Sequence, residues 1–270
     1  MRVAWLLLLC ALPLPLAAQE GVPFDPGLCA LPFDSQRHPI DDDCGIEGKS
    51  NDADKRMESR AKNNLCAPGP ATWVTIYTFK KLRQATAAED FALGADRSGA
   101  RDVWTTNPEG RTIGEGSRVK LAGYVLRANT ANRSGGENVN CKRGGRDQND
   151  VHVHLAQTPS LAAANFCKAV VAEIIPHLRP DDLNAEALML TAGTPVRVTG
   201  HLFYDGNHPV KCDLQKPANS RSSTWEIHPV YSVDVCKFQS LAACNARKES
   251  VWVSLADWIR AQEHDDSPPD

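Results

Sequence analysis

The stretch Asp150-Val151-His152-Val153-His154-Leu155 alternates apolar and polar residues with a period of two. Two later stretches share this alternation, residues 197–205 and 225–228. Successive side chains of a β-strand point to opposite faces of the sheet, so the pattern predicts three strands, each with one apolar face. The predicted apolar face contains Val151, Val153, Leu155, Val198, Leu202, Trp225 and Ile227.

The opposite face of this predicted sheet collects ionisable side chains. It contains four of the eight histidines and three carboxylates: Asp150, His152, His154, His201, Asp205, Glu226 and His228. Imidazole is a good ligand for zinc, copper or nickel, and carboxylates complete such sites. A divalent transition metal such as zinc, held by the four histidines, is therefore one interpretation. A non-metal ligand is the second, and a solvated or hydrogen-bonded structural face is the third.

Three carboxylates have candidate roles at this face. In a metal-dependent enzyme, Glu226 or Glu173 could orient a water molecule as the general base. Asp205 could hold a histidine in one tautomer or contact a ligand. The sequence contains no G-x-S-x-G, P-loop or H-E-x-x-H motif, so those reaction classes have no support.

A basic loop precedes the first of these strands and is the second candidate site. Lys142, Arg143 and Arg146 could contact phosphates or acidic sugars there, and the alternative is three solvated side chains. Phe203 is expected to face outward near the groove as a ligand contact, but other stacking aromatics are scarce. With a formal net charge of −3, bulk electrostatic binding of nucleic acid is not favoured.

The first 18 residues have the layout of a secretory signal peptide. Arg2 is followed by an apolar run and by a small-residue junction that ends at Ala18. Cys10 lies within that run, and a lipoprotein signal is the alternative interpretation. No later stretch approaches the roughly 20 apolar residues of a membrane-spanning helix. We therefore expect a secreted or periplasmic protein.

Eight cysteines follow the predicted signal peptide, an even number that indicates disulfides in an exported chain. They are Cys29, Cys44, Cys66, Cys141, Cys167, Cys212, Cys236 and Cys244. Cysteine ligation of a metal is the alternative, although none of the spacings is C-x-x-C. Cys236 and Cys244 could close a small loop, and Cys141 could pair with Cys167 or Cys212.

The order of predicted elements indicates a mainly β fold. Five strands with a helix between the third and the fourth are typical of the OB-fold, a five-stranded Greek-key barrel. The predicted organisation is a signal peptide (1–18), a cysteine-containing N-terminal extension (19–70), an OB-like barrel (71–236), and a C-terminal helix with an acidic tail (237–270). Shorter predictions include helices at 52–63 and 80–93, a strand at 73–77, and a capping box formed by Ser254 and Asp257.

Short motifs of the chain resemble a group of secreted bacterial OB-fold-like proteins without an assigned activity. The motifs are Trp225-Glu226-Ile227-His228-Pro229-Val230, Cys44-Gly45-Ile46-Glu47-Gly48 and Ala61-Lys62-Asn63-Asn64-Leu65-Cys66. The resemblance covers residues 44–236 and implies the domain limits but no chemistry. Two functions follow from the residues themselves. The first is an exported binding module for a polar or anionic ligand, and the alternative is a metal-dependent hydrolase, such as a phosphodiesterase or nuclease.

Overall fold

A computed structural model describes Phe24 and residues 29–88, 100–130, 134–244 and 248–265 of the 270-residue chain. The predicted signal peptide, Cys10 and most of the acidic tail lie outside these residues. The helices are α1 (Ile40–Asp43), α2 (Ala53–Lys62), α3 (Ile76–Ala88), α4 (Ala163–Phe166), α5 (Ala185–Leu190) and α6 (Leu255–Asp265). The strands are β1 (Thr72–Val74), β2 (Trp104–Thr106), β3 (Thr112–Gly114), β4 (Arg118–Thr130), β5 (Val151–Ala156), β6 (Val170–Ile174), β7 (Pro195–Tyr204), β8 (Trp225–Cys236) and β9 (Trp252–Ser254).

Five strands close into a barrel in the order β4-β5-β6-β8-β7, and β7 pairs with β4 again. The β6–β8 pairing is parallel and the other four are antiparallel. In chain order, helix α5 lies between the third barrel strand, β6, and the fourth, β7. This is the predicted OB-like architecture, so the fold class is confirmed. Strands β1 and β9 extend the sheet beside β4 and β8.

The predicted apolar face fills the barrel. All seven of its side chains belong to the main hydrophobic core, whose burial supplies most of the stabilisation of such a fold. The register of β7 with β8 shifts on both sides of Gly200. A Cβ atom at Gly200 would lie 2.4 Å from the carbonyl oxygen of Pro229. The two strands therefore approach closely just beside His228, which precedes a cis peptide bond to Pro229.

Two local predictions need correction at the start of the barrel. The strand predicted over residues 73–77 ends at Val74, and the helix predicted from Lys80 begins at Ile76. The cause is a reciprocal bond pair in which the backbone N–H groups of Thr75 and Thr78 each donate to the other hydroxyl. Such side-chain bonds start a helix where β-branched composition alone predicts a strand.

Two helix predictions are confirmed at their capping residues. Asp52 accepts hydrogen bonds from the backbone N–H groups of Asp54 and Lys55 and begins α2. Ser254 accepts from the backbone N–H of Asp257 at the start of α6, as the capping box predicts. Trp258 and Ile259 of α6 pack against the main core. Among the described residues, no helix has the length and apolar character needed to cross a membrane.

All eight cysteines after the predicted signal peptide form disulfides. The pairs are Cys29–Cys66, Cys44–Cys141, Cys167–Cys212 and Cys236–Cys244. The predicted Cys236–Cys244 pair is confirmed, but both partners predicted for Cys141 are wrong. The loop that contains Cys141 folds back onto the N-terminal extension, where the backbone N–H of Lys49 donates to the carbonyl of Asn138 at 2.7 Å. Four disulfides are compatible with an extracellular or periplasmic protein.

The N-terminal extension packs tightly onto the barrel wall. The hydroxyl of Tyr231 donates to the carbonyl of Asn64 at 2.6 Å and accepts from the backbone N–H of Ala67 at 3.0 Å. Leu65 also joins Tyr231 in a second hydrophobic cluster. The extension therefore covers the side of the barrel on which β8 carries its polar residues.

Candidate functional site

The polar face predicted from the sequence is buried. Six of its seven residues are at most 4 % exposed: Asp150, His154, His201, Asp205, Glu226 and His228. The seventh, His152, keeps 20 % of its side chain exposed. A solvated face is therefore excluded, because the N-terminal extension covers these side chains.

Three side chains at the centre of this region could share one metal ion. Asp150, Glu173 and His228 each offer a ligand atom, and the three atoms lie within 4.8 Å of one another. Asp150 directly precedes β5, Glu173 lies on β6 and His228 on β8. These three strands are neighbours in the barrel, with β6 between the other two. We call these three residues the central triad.

His228 is held from one side by carboxylates. Its Nδ1 atom lies 3.1 Å from Oε2 of Glu173 and 3.2 Å from Oε1 of Glu226. A carboxylate accepts hydrogen bonds, so Nδ1 donates and the lone pair of a neutral ring lies on Nε2. The Nη1 atom of Arg221 lies 3.2 Å from both Glu226 and Asp205. The ring orientation of His228 is therefore fixed by a chain of charged groups.

Several buried atoms of this region have no hydrogen-bond partner among the described residues. They are both carboxylate oxygens of Asp150, Oε2 of Glu173, and the Nε2 atoms of His152 and His228. His152 Nε2 lies 3.3 Å from Oε1 of Glu173, so it contributes an ion-pair contact without a well-aligned hydrogen bond. Buried polar groups are ordinarily paired, so these atoms mark a place where a ligand would be favourable.

Burial and charge shift the pKa values of the triad. Burial raises the pKa of Asp150. Burial alone would also raise the pKa of Glu173, but the charges of His152 and His228 bring it well below its usual value. Burial opposes charging of His228, yet Glu173 and Glu226 raise its pKa to about 10. The carboxylates beside His228 therefore favour a positive charge at this position.

The four histidines proposed as metal ligands do not converge. Of the four, only His228 belongs to a group of three close potential ligands within the described part of the chain. The Nδ1 atom of His201 donates to the backbone carbonyl of His228 at 2.7 Å. The ring of His154 packs against Phe166, and burial lowers its pKa to about 4. A four-histidine site is therefore wrong as a coordination geometry, because among the described residues only His228 of the four has two other potential ligand atoms within 4.8 Å.

The structure shows the surroundings of the two candidate bases, Glu173 and Glu226, and of two candidate ligand contacts, Asp205 and Phe203. Glu173 belongs to the central triad, whereas Glu226 lies beside it with one oxygen near His228 and the other near Arg221. Asp205 accepts from Arg221 and from His208, and Lys62, His208 and Arg221 together lower its pKa against the opposing effect of burial. Phe203 is fully buried, so the prediction that it faces outward as a stacking surface is wrong.

Sequence reasoning missed two charged side chains, a buried lysine of the extension and a half-buried glutamate of a loop. Lys62, at the end of α2, is 5 % exposed, and its Nζ lies 3.3 Å from Oε2 of Glu137. Burial would lower the pKa of Lys62, but Glu137 and the acids nearby raise it well above its usual value. These two residues are 75 positions apart, so only the tertiary structure reveals the pair.

An open pocket borders the central triad. It has a volume of about 490 Å³, and we call it the main pocket. It is lined by Lys55, Glu58, Ser59, Lys62, Glu137, Asn138, Val139, His152, Asn207 and His208. His152 connects the pocket to the triad, because it lines the pocket and also contacts Glu173. The triad is thus buried, and the His152 side chain lies between it and the open main pocket.

A second pocket of about 260 Å³ adjoins the first, and we call it the lysine cleft. Its lining residues are Lys49, Ser50, Asn51, Lys55, Asn138 and Lys142. Lys55 and Asn138 line both pockets. The walls come from the N-terminal extension and from the loop between β4 and β5, which the Cys44–Cys141 disulfide joins.

Of the three basic loop residues predicted to bind a ligand, Lys142 alone lines a pocket described here. Arg143 pairs with Asp43 and donates to Gln148 at 2.7 Å. Arg146 pairs with Glu186 on α5. These two guanidinium groups therefore hold the loop against the rest of the protein instead of facing either pocket.

Comparison with protein-family models, curated proteins and solved structures finds no match to this chain. The chemistry of the site therefore rests on its own residues and geometry.

Proposed function

We propose that this protein is an exported binding module for a polar ligand with an anionic group, which binds in the lysine cleft and the adjoining main pocket. The observation that carries the proposal is the composition of the lysine cleft. Three of its six lining residues are lysines and none of the six is acidic. A cleft of one charge sign favours a ligand of the opposite sign.

The surroundings of these lysines support this assignment. Within the described residues, the side chains of Lys49, Lys55 and Lys142 form no salt bridge. All three lysines are exposed, so a phosphate or carboxylate could reach them without breaking an internal salt bridge. Asn138, Asn207 and His208 line the main pocket and supply donors for the polar remainder of the ligand.

Calorimetric titration tests the proposal with inorganic phosphate, pyrophosphate and glucuronate as probes at fixed ionic strength. We expect at least one probe to bind the wild type. Replacement of all three lysines, Lys49→Gln/Lys55→Gln/Lys142→Gln, should weaken that binding by at least about tenfold, since each charge-assisted hydrogen bond contributes about 1.5–3 kcal/mol.

A matched triple variant provides the control for the loss of net charge. Lys80→Gln/Lys168→Gln/Lys216→Gln removes the same charge from exposed lysines that line neither pocket. It should keep the affinity within about twofold. Equal losses in the two triple variants would show bulk electrostatics instead of a site, and failure of all three probes would contradict the choice of ligand.

A metal-dependent hydrolase is the second candidate, and the specific observation in its favour is the buried central triad. A carboxylate–histidine site with an open position can activate water. Turnover of bis(4-nitrophenyl) phosphate in the presence of Zn²⁺ or Mn²⁺, lost in Asp150→Asn, would support it. If no substrate is turned over while the anionic probes still bind, the hydrolase is rejected and the binding module is retained.

A further inference from the structure

Asp150 is the least explained side chain of the central triad. It is 2 % exposed, and neither of its carboxylate oxygens has a hydrogen-bond partner among the described residues. Nε2 of His228, which is fully buried, lacks one as well. Buried carboxylates are ordinarily paired, hydrogen-bonded or bound to a metal. The two Asp150 oxygens and Nε2 of His228 are therefore available to bind a ligand, because no described protein group forms a hydrogen bond to them.

We propose that Asp150, Glu173 and His228 bind one divalent transition-metal ion. Three atoms within 4.8 Å of one another all lie within about 2.8 Å of a common point. Zn²⁺ bonds to oxygen and nitrogen ligands measure about 2.0–2.2 Å. Small side-chain rotations, of less than about 1 Å at each ligand atom, would bring all three to bonding distance.

His228 is already oriented for coordination by its neighbours. Glu226 accepts a hydrogen bond from its Nδ1, so Nε2 would be the coordinating atom. Metal-binding histidines commonly donate their other ring N–H to a carboxylate, which fixes the tautomer and increases the basicity of the ligand. Arg221 in turn holds Glu226 at 3.2 Å. This supporting chain is independent of the unpartnered oxygens of Asp150.

The charges around the triad also favour a cation. Five carboxylates interact electrostatically here, those of Glu137, Asp150, Glu173, Asp205 and Glu226. Three permanently charged cationic side chains, Lys62, Arg179 and Arg221, interact with these carboxylates, so the carboxylates outnumber them by two. A divalent ion would offset much of the remaining negative charge at its centre.

The donor set selects the class of ion. One imidazole with two carboxylates suits zinc, manganese, iron(II) or cobalt, whereas calcium and magnesium prefer oxygen ligands alone. All cysteines of the described residues are in disulfides, so thiolate ligation is not available to compete. His152, 3.3 Å from Glu173, lies on the pocket side and is placed for a supporting contact.

The experiment uses the full-length disulfide-bonded protein without a histidine tag, stripped by a chelator under non-reducing conditions. Zn²⁺ binding is measured by competition with a chromophoric chelator, and bound Co²⁺ is followed by its visible absorption. We expect one equivalent of Zn²⁺ and a Co²⁺ spectrum without sulfur-to-metal charge transfer. Asp150→Asn, which is nearly isosteric, should weaken Zn²⁺ binding at least about 100-fold.

Asp41→Asn is the matched control, since Asp41 is also fully buried and its carboxylate also contacts a histidine, His177 at 2.9 Å. The Zn²⁺ affinity of this variant should lie within about threefold of the wild-type affinity. Folding of each variant is checked by near-ultraviolet circular dichroism, and His228→Gln serves as a second triad variant. Wild-type affinity in a folded Asp150→Asn or His228→Gln protein would overturn the proposal, as would a folded wild type that binds no Zn²⁺.

This inference goes beyond the proposed binding function and has a separate readout. The anion titration reports on the lysines, whereas Zn²⁺ competition reports on the triad. Anion binding could fail while Zn²⁺ binds, or the reverse, and each result would identify which of the two sites is wrong.

Discussion

Nδ1 of His228 lies 3.2 Å from Oε1 of Glu226, two residues earlier on the same strand. Alternate residues of a regular strand lie on one face, so this contact is local and follows directly from the Glu-Ile-His sequence. The second oxygen of Glu226 lies near Arg221. Glu226 therefore acts as an orienting group for His228, with both of its oxygens engaged.

The Glu226→Gln variant should weaken Zn²⁺ binding by about 10–100-fold, because partners behind a ligating histidine contribute to affinity by this amount. The amide keeps the size of the side chain but removes the charge that stabilises the Nδ1–H donor. Chelator competition measures the change, and Glu249→Gln, an exposed glutamate paired with Arg197, is the control. Unchanged affinity in Glu226→Gln would remove Glu226 from the site.

Gly200→Ala should strongly destabilise the barrel. Its new Cβ would lie 2.4 Å from the carbonyl oxygen of Pro229 and 2.5 Å from the Ile227 side chain, so β7 and β8 must move apart. We expect a loss in free energy of unfolding above the roughly 1–3 kcal/mol that is usual for overpacking. Gly123→Ala, with a nearest contact of 3.0 Å, should cost less. Equal denaturation midpoints would contradict this difference.

Removal of the Cys44–Cys141 disulfide should reduce stability more than removal of Cys236–Cys244. The first spans 97 residues and the second spans 8, and loop-closure entropy makes the longer crosslink about 2 kcal/mol more stabilising. Paired Cys→Ala variants in urea denaturation measure this difference. The Cys44→Ala/Cys141→Ala variant should also lose probe binding at the lysine cleft, whereas the other variant should keep it.

His154 should make the protein less stable in acid. Its pKa is lowered to about 4 by burial, against about 6.5 in an unfolded chain. Between pH 6.5 and 4 the unfolded state therefore binds the proton more readily, and the free energy of unfolding falls. The contribution is on the order of 3 kcal/mol and is complete below pH 4.

The variant His154→Leu isolates this effect from the titration of the other buried groups. Its free energy of unfolding should fall less steeply than that of the wild type between pH 6.5 and 4, while the two curves run parallel above pH 7. Identical slopes across the acidic range would show that His154 is protonated without cost in the folded protein.

The alternation of residues 150–155, 197–205 and 225–228 predicts three of the five barrel strands, β5, β7 and β8, and their inward side chains. Period-two patterns report which face of a strand is apolar, and burial then follows. The polar face was predicted as a group for the same reason. His228 and Asp150 were thus placed on the correct side of the sheet from sequence alone.

The partners of those side chains could not be predicted. Which residues meet depends on register and bulges, and the shifts beside Gly200 and between Val125 and Arg127 have no period-two signal. Lys62 lies in a polar helix, and its burial depends on Glu137 from a distant loop. The Cys44–Cys141 bond is equally non-local, because sequence gives cysteine number but not connectivity.

The pairing of β6 with β8 has the fewest register pairs in the barrel. Strands β6 and β8 share one register pair, Ala172 with Ile227, whereas every other barrel pairing has at least five. Glu173 and His228 are the next residues along the two strands, and they meet across this pairing at 3.1 Å. A metal ion bound by Glu173 and His228 would link β6 to β8 across this pairing. Binding of the ion should slow hydrogen exchange of the β6 and β8 amides, so the exchange rates of these strands would report whether the site is occupied.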